Sequence, residues 1–364
     1  MGHDQGNVPL RLLAFVLLTA AAVAQPPTRT RCGFADHAEA DARRAATEQV
    51  QSLVRPSLPL FLDSPSGRFR VHYSRAGVDA STDAYVAACI DALENAWRTE
   101  VDTLGFAPPP DDGTDGGSTA LDVYLRDLSK AGPGGSSYYG VTRLDRRIAN
   151  SPIARFTTWI EIDNDFSPND RDASDRPSFA TYGEDALRAT CAHEFHHSIQ
   201  NGAYGLASSQ LMFYELTSTW MELRVYPHIR DWAVYTSALL TMPSQYPMSR
   251  TDQFNGYMWG WFGNVIDPAG PTILRRSWER IADAASPFAA LSASCTEAGV
   301  SLSDLFTTNL PALYLTGTRG GTNTVIPGAD LLPEIALYED LRAEAPTTIS
   351  VGSLNPFEVR AIRL

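Results

Sequence analysis

The sequence predicts an α+β fold, a mixed sheet carrying one chemically loaded helix, followed by a small C-terminal β appendage. Three observations point there. Strand-like stretches gather in the first half, helix-period stretches dominate the second half, and strand character returns at the C-terminus. The 364 residues are 44% hydrophobic and 20% charged, so the chain can bury a full core and is not of the disordered class. A net charge of −13 argues against a nucleic-acid surface, which needs a basic patch.

At the N-terminus, LLAFVLLTAAAVA follows Arg11 and ends in Ala22-Val23-Ala24 before Gln25. This is the layout of a secretory signal cleaved after Ala24, and its apolar run is shorter than the ~20 residues needed to span a bilayer. Residues 1–24 are therefore expected to be a signal peptide and the mature chain to be secreted, extracellular or periplasmic. Cys32, Cys89, Cys191 and Cys295 allow two disulfides or four buried thiols, and no pair has the CxxC spacing of a redox or zinc motif.

Residues 35–54 have helical composition and end against Pro56 and Pro59, so residues 25–66 form an N-terminal segment, either a pro-segment or the first helix. RFRVHYS then reads as a strand, YVAACIDALENAWRTEVDTL as an amphipathic helix, and ALDVYLRDL as a second strand. AGPGGSSYYG is a Gly-rich loop without the GxxxxGK[ST] of a phosphate site. TTWIEIDNDF alternates as a half-exposed strand and is expected at the sheet edge, where an extended peptide could add to it. Asp163, Asp165, Asp170, Asp172 and Asp175 follow. They are a weak candidate for calcium, since no D-x-[DN]-x-[DN]-G loop is present, and read better as a solvated acidic loop.

Two helices come next. The first opens at Gly183-Glu184-Asp185 and stops at Asn201-Gly202; the second spans Gln210 to Val225. Further helices are expected over Tyr257–Val265, Pro271–Ala285 and Ser301–Thr308. Residues 67–315 thus form one domain and 316–364 a C-terminal β segment containing TTISVGS and PFEVRAIRL.

The chemistry sits at His193-Glu194-Phe195-His196-His197. On a helix, positions i and i+4 lie about 40° apart, so His193 and His197 can each give an imidazole nitrogen to one ion. Glu194, beside that face, can reach a water held there without ligating the ion itself. HExxH is therefore read as a zinc site with its general base included. The extension HExxHxxGxxH is absent, because Gln200 and Ala203 occupy the Gly and third His positions. The third ligand must come from elsewhere, and the next helix offers Glu215 and Glu222 on one face. Glu215 has a spacing close to that of glutamate-liganded zinc peptidases and is the candidate ligand, with Glu222 orienting a ligand histidine. His196 is expected to be a packed neighbour. Tyr257, in FNGYMWGWF, is the candidate donor to a developing oxyanion.

RFRVHYSRAGVDAS, LGFAPPPDD, LDVYL, WIEIDNDF, TCAHEFHHSIQNGAYG and MFYELTSTWMELRVYP occur in an order that resembles a bacterial family of secreted zinc metalloproteases. That family is marked by an AHEFxHxxQ helix followed by an ExxxxWxE helix. The likeness spans about Phe69 to Leu315 and is strongest in the two helices. It implies a gluzincin-like, zincin-type domain with His193, His197 and Glu215 on one catalytic Zn2+ and Glu194 as base.

The expected function is a zinc-dependent endopeptidase acting through a metal-held water on a protein or peptide substrate, as a monomer without a membrane span. The alternative is a catalytically silent secreted binding module on the same fold, against which the intact Glu194 argues.

Overall fold

The computed structural model describes residues 31–45, 54–149, 152–340 and 353–363. The signal-peptide reading, and TTISVG within the C-terminal segment, lie outside them.

Five strands, the inner ones buried almost continuously, form one mixed sheet: β1 (Leu60–Asp63), β2 (Phe69–Tyr73), β3 (Leu121–Arg126), β4 (Gly140–Ala149) and β5 (Arg155–Asp163). Its order is β1-β2-β3-β5-β4. β2, β3 and β5 run parallel, while β1 and β4 flank them antiparallel. The sequence places TTWIEIDNDF at the edge, and this is corrected: β5 is an inner strand, buried along nearly all its length. Pairing on both sides takes its backbone groups, so it cannot accept a peptide. The edge beside the chemistry belongs to β4, whose GVTRLDRRIA the sequence pattern passes over.

Helix α1 (Phe34–Ala45) lies on β4. Its Asp41 takes a two-point ion pair from Arg143, at 2.8 and 3.0 Å. Helix α2 (Asp83–Trp97) is capped by the Thr82 hydroxyl and continues as a π-helical stretch, Arg98–Thr103. It packs against α3 (Gly183–Ile199), which in turn packs on β5 and on α4 (Leu211–Val225). From Ala186 to Ile199 only Arg188 of α3 escapes burial. A helix buried on all sides shows no amphipathic stripe, and its polar groups need partners inside the protein.

The C-terminal half is helical: α5 (Ala233–Thr241), α6 (Gln253–Trp259), α7 (Gly263–Ala269), α8 (Ile273–Ala282), α9 (Pro287–Glu297), α10 (Leu302–Asn309) and α11 (Pro311–Tyr314). Gly256, Gly260 and Gly263 bring α6 and the turn after it against α4. A Cβ on Gly256 would stand 2.5 Å from that of Glu215, so this close approach helps fix the α4 face that carries the glutamates. The expected helix over Tyr257–Val265 is instead two short helices joined by a 3₁₀ turn, Gly260–Phe262. A parallel pair, β6 (Leu337–Asp340) and β7 (Ala361–Arg363), supplies the C-terminal β character. Among the described residues a large hydrophobic core runs from Cys32 to Val359, beside a small cluster of Leu128, Tyr138 and Val141. No helix among the described residues is long and apolar enough to cross a membrane.

Candidate metal centre

Helices α3 and α4 cross so that three of the predicted side chains converge. His193 Nε2 stands 3.1 Å from His197 Nε2 and 3.1 Å from Glu215 Oε2; His197 Nε2 is 3.4 Å from the same oxygen. Ligands about 2.0–2.1 Å from a tetrahedral zinc stand about 3.3–3.4 Å from one another, so these three atoms outline one face of such a shell. The other oxygen of Glu215 is buried without a hydrogen-bond partner, as expected of a carboxylate whose natural partner is an ion. The residues fit a divalent metal.

Both imidazoles are held from behind. His193 Nδ1 is 2.7 Å from Glu222 Oε1, and Nδ1–H donating there leaves Nε2 free for a metal. His197 Nδ1 is likewise 2.7 Å from Gln200 Oε1. The Gln200 amide nitrogen is tied to the Tyr214 carbonyl, Thr217 Oγ1 and Ser218 Oγ at 3.0–3.1 Å, which fixes the orientation of Gln200. Glu222 also meets Arg31 at 2.5 Å, and Arg31 pairs with Asp231. All these side chains are essentially buried.

Glu194 points toward β4, where the Thr142 hydroxyl lies 2.7 Å from its Oε2. Gly140 leaves it room, since a Cβ there would stand 2.6 Å from Glu194 Cγ. The Tyr257 ring stacks on His193 with centroids 6.0 Å apart, and its hydroxyl accepts from the backbone N–H of Cys32 at 3.4 Å. His196 turns away from the cluster, its Nδ1 2.8 Å from Glu100 Oε2. Burial raises the Glu100 carboxyl well above, and lowers His196 well below, their ordinary values, so this is a neutral pair. Glu100 belongs to the π-helical stretch after α2.

Cys32 joins the cluster: its Sγ lies within 4.8 Å of ligand atoms of His193, His197 and Glu215. Sequence reasoning missed it because ligand spacing is a local signal and Cys32 lies far upstream in another element. All four cysteines are free buried thiols, with Cys89 and Cys191 side by side at 3.9 Å between α2 and α3. Of the acidic loop, oxygens of Asp163, Asp165 and Asp170 meet within 4.8 Å. Asp163 is already occupied by the N–H groups of Leu128, Asp165 and Phe166, and its carboxyl is pushed up to about 7 by burial. Asp172 instead holds Arg176, and Asp175 is exposed. The five acids do not converge.

Without a metal, the cluster binds a proton. Burial opposes charge on His193, but Glu215 and Glu222 outweigh it and lift its pKa from 6.5 to about 9. Burial opposes charge on Glu215 too, yet His197 and His193 hold it down from 4.5 to about 2. The stabilisation from His193 is thus complete below pH 6.5 and lost as pH rises through about 9. That from Glu215 is complete above pH 4.5 and lost as pH falls through about 2. Urea unfolding of the metal-free chain should show stability falling by up to roughly 3 kcal/mol between pH 6.5 and 9. His193→Gln should lack that slope; equal slopes in both proteins would contradict the pairing.

A family of unknown function, DUF6055, matches residues 183–305. That is about a third of the chain, and it takes in His193, Glu194, His197, Glu215, Glu222 and Tyr257 but not Cys32. No curated protein matches the sequence.

Proposed function

We propose that the chain is a secreted, zinc-dependent endopeptidase with a zincin-like, gluzincin-type catalytic domain. The observation that carries this reading is the convergence of His193, His197 and Glu215 at 3.1–3.4 Å beside a second carboxylate, Glu194, that is not part of the triangle. A mixed sheet whose edge strand runs beside the ligand-bearing helix supports the fold assignment, and the apolar N-terminal run ending in Ala-Val-Ala supports export.

A zinc ion, when bound, supplies a Lewis acid that polarises a scissile carbonyl and makes water acidic near neutral pH. The protein's own groups do the rest. Glu194 takes a proton from the attacking water and returns it to the leaving amine, while Thr142 holds the carboxylate in place. Tyr257 stacks on His193, and its hydroxyl can donate to a developing oxyanion once Cys32 has moved. The edge of β4 offers N–H and C=O groups that can pair with an extended substrate.

A closed structural zinc site is the second reading, favoured by Cys32 as a fourth donor. A Glu194 outside the ligand set has no part in such a site. The test is hydrolysis of a quenched peptide mixture by the zinc-loaded Cys32→Ser chain, in which sulfur can no longer fill the fourth position. Turnover should vanish on chelation and return with zinc; zinc-loaded protein that cleaves nothing would sink the peptidase reading.

A further inference from the structure

The site as it stands is shut. His193, Glu194, His197 and Glu215 are each at most 1% exposed, so neither a peptide nor bulk water reaches them. One short stretch packs directly against it. Arg31, Cys32 and Gly33 pair with the start of β4 through one parallel bridge, Cys32 with Gly140. Tyr139 N–H donates to the Arg31 carbonyl at 2.7 Å, and Gly33 N–H donates to the Gly140 carbonyl at 2.9 Å. Phe34 then stacks on the His197 ring, centroids 4.4 Å apart. The stretch is pinned at both ends. Arg31 is buried between Glu222 and Asp231, and α1 is bound to β4 through Asp41 and Arg143.

We infer that residues 31–45 form a built-in inhibitor, in which the Cys32 sulfur fills the metal's fourth position and the backbone around it occupies the substrate's edge of β4. This rests on the peptidase reading and adds its regulation. Two independent observations support it. The thiol is the fourth donor of the cluster, and the backbone on either side makes the hydrogen bonds that an extended substrate would make. Arg31 ties the device to the metal shell, because Glu222, which holds His193, is also its anchor. Activation is departure of this segment, with Cys32 leaving as the thiol after taking a proton from the solvent water that enters behind it. Proteolytic removal of the segment is one route to that state.

The test uses the full chain loaded with zinc. X-ray absorption at the zinc edge should show one sulfur neighbour at about 2.3 Å beside nitrogen and oxygen at about 2.0 Å. Cys32→Ser should bind zinc without that sulfur and hydrolyse peptides at least about tenfold faster than wild type, the factor expected if the closed state holds about nine-tenths of the molecules. Wild-type protein with only nitrogen and oxygen neighbours overturns the inference while leaving the zinc site intact. A sulfur neighbour in wild type, with both proteins hydrolysing peptides at equal rates, overturns the inhibitory role and leaves Cys32 a ligand only. Failure of both proteins to hold zinc removes the peptidase reading itself, and the inference with it.

Discussion

Glu194→Gln should lower peptide hydrolysis by about 10²–10⁴-fold, the range typical of a lost general base, while zinc content stays at one per chain. The comparison belongs in the Cys32→Ser background, where the fourth position is free. The change is nearly isosteric, and the glutamine side-chain oxygen can still accept from the Thr142 hydroxyl that lies 2.7 Å from the carboxylate. What disappears is the capacity to take up and return a proton. Because Glu194 stands outside the His193–His197–Glu215 triangle, metal affinity should hardly move. A variant that cleaves at the parent rate would remove Glu194 from the chemistry; one that loses zinc would make it a ligand.

Glu215→Ala should act on the other half of the machinery. Apparent zinc-binding energies of about 10–16 kcal/mol spread over four ligands give about 3 kcal/mol each, so one lost ligand should weaken binding by about 10²-fold. Glu222→Gln touches the metal only through His193 and should cost nearer tenfold, the low end for a residue that orients a ligand. Competition with a chromophoric chelator would rank the two. If Glu222→Gln lost more zinc than Glu215→Ala, the assignments of ligand and orienting partner would have to be exchanged.

The contrast between these variants reflects which parts of the site are written locally. His193 and His197 follow from helical periodicity alone, and Glu215 and Glu222 from a seven-residue spacing on the next helix. Glu194 follows from its place beside the first ligand. Gln200 was visible only as the residue standing where another motif would have glycine. Its use as the partner of His197 depends on a π-helical turn, Gln200–Tyr204, and on α4, neither of which spacing reveals. Cys32 and Arg31 are farther from legible. They reach the centre because α1 docks on β4 through an ion pair and a hydrogen-bonded edge, contacts between elements distant in sequence.

The sheet shows the same division. RFRVHYS and ALDVYLRDL alternate and become β2 and β3. GVTRLDRRIA carries Arg143, met by Asp41 on α1 and Glu161 on β5, and Arg146, met by Asp115, so its polar pattern hides an ordered edge. TTWIEIDNDF alternates like a half-exposed strand but is buried on both faces. Polar side chains find partners inside, Glu161 with Arg126 at 2.7 Å and Thr157 with the Arg146 N–H at 3.1 Å, so alternation did not mean solvent on one side.

The central claim is that His193, His197 and Glu215 hold a single divalent metal. Elemental analysis of the purified, desalted full chain tests it most directly. About one zinc per chain is expected for the wild type, and less than about a tenth of that for a His193→Ala/His197→Ala double variant. A folded wild-type chain that holds no metal after incubation with excess zinc, or a double variant that keeps a full complement, would contradict it.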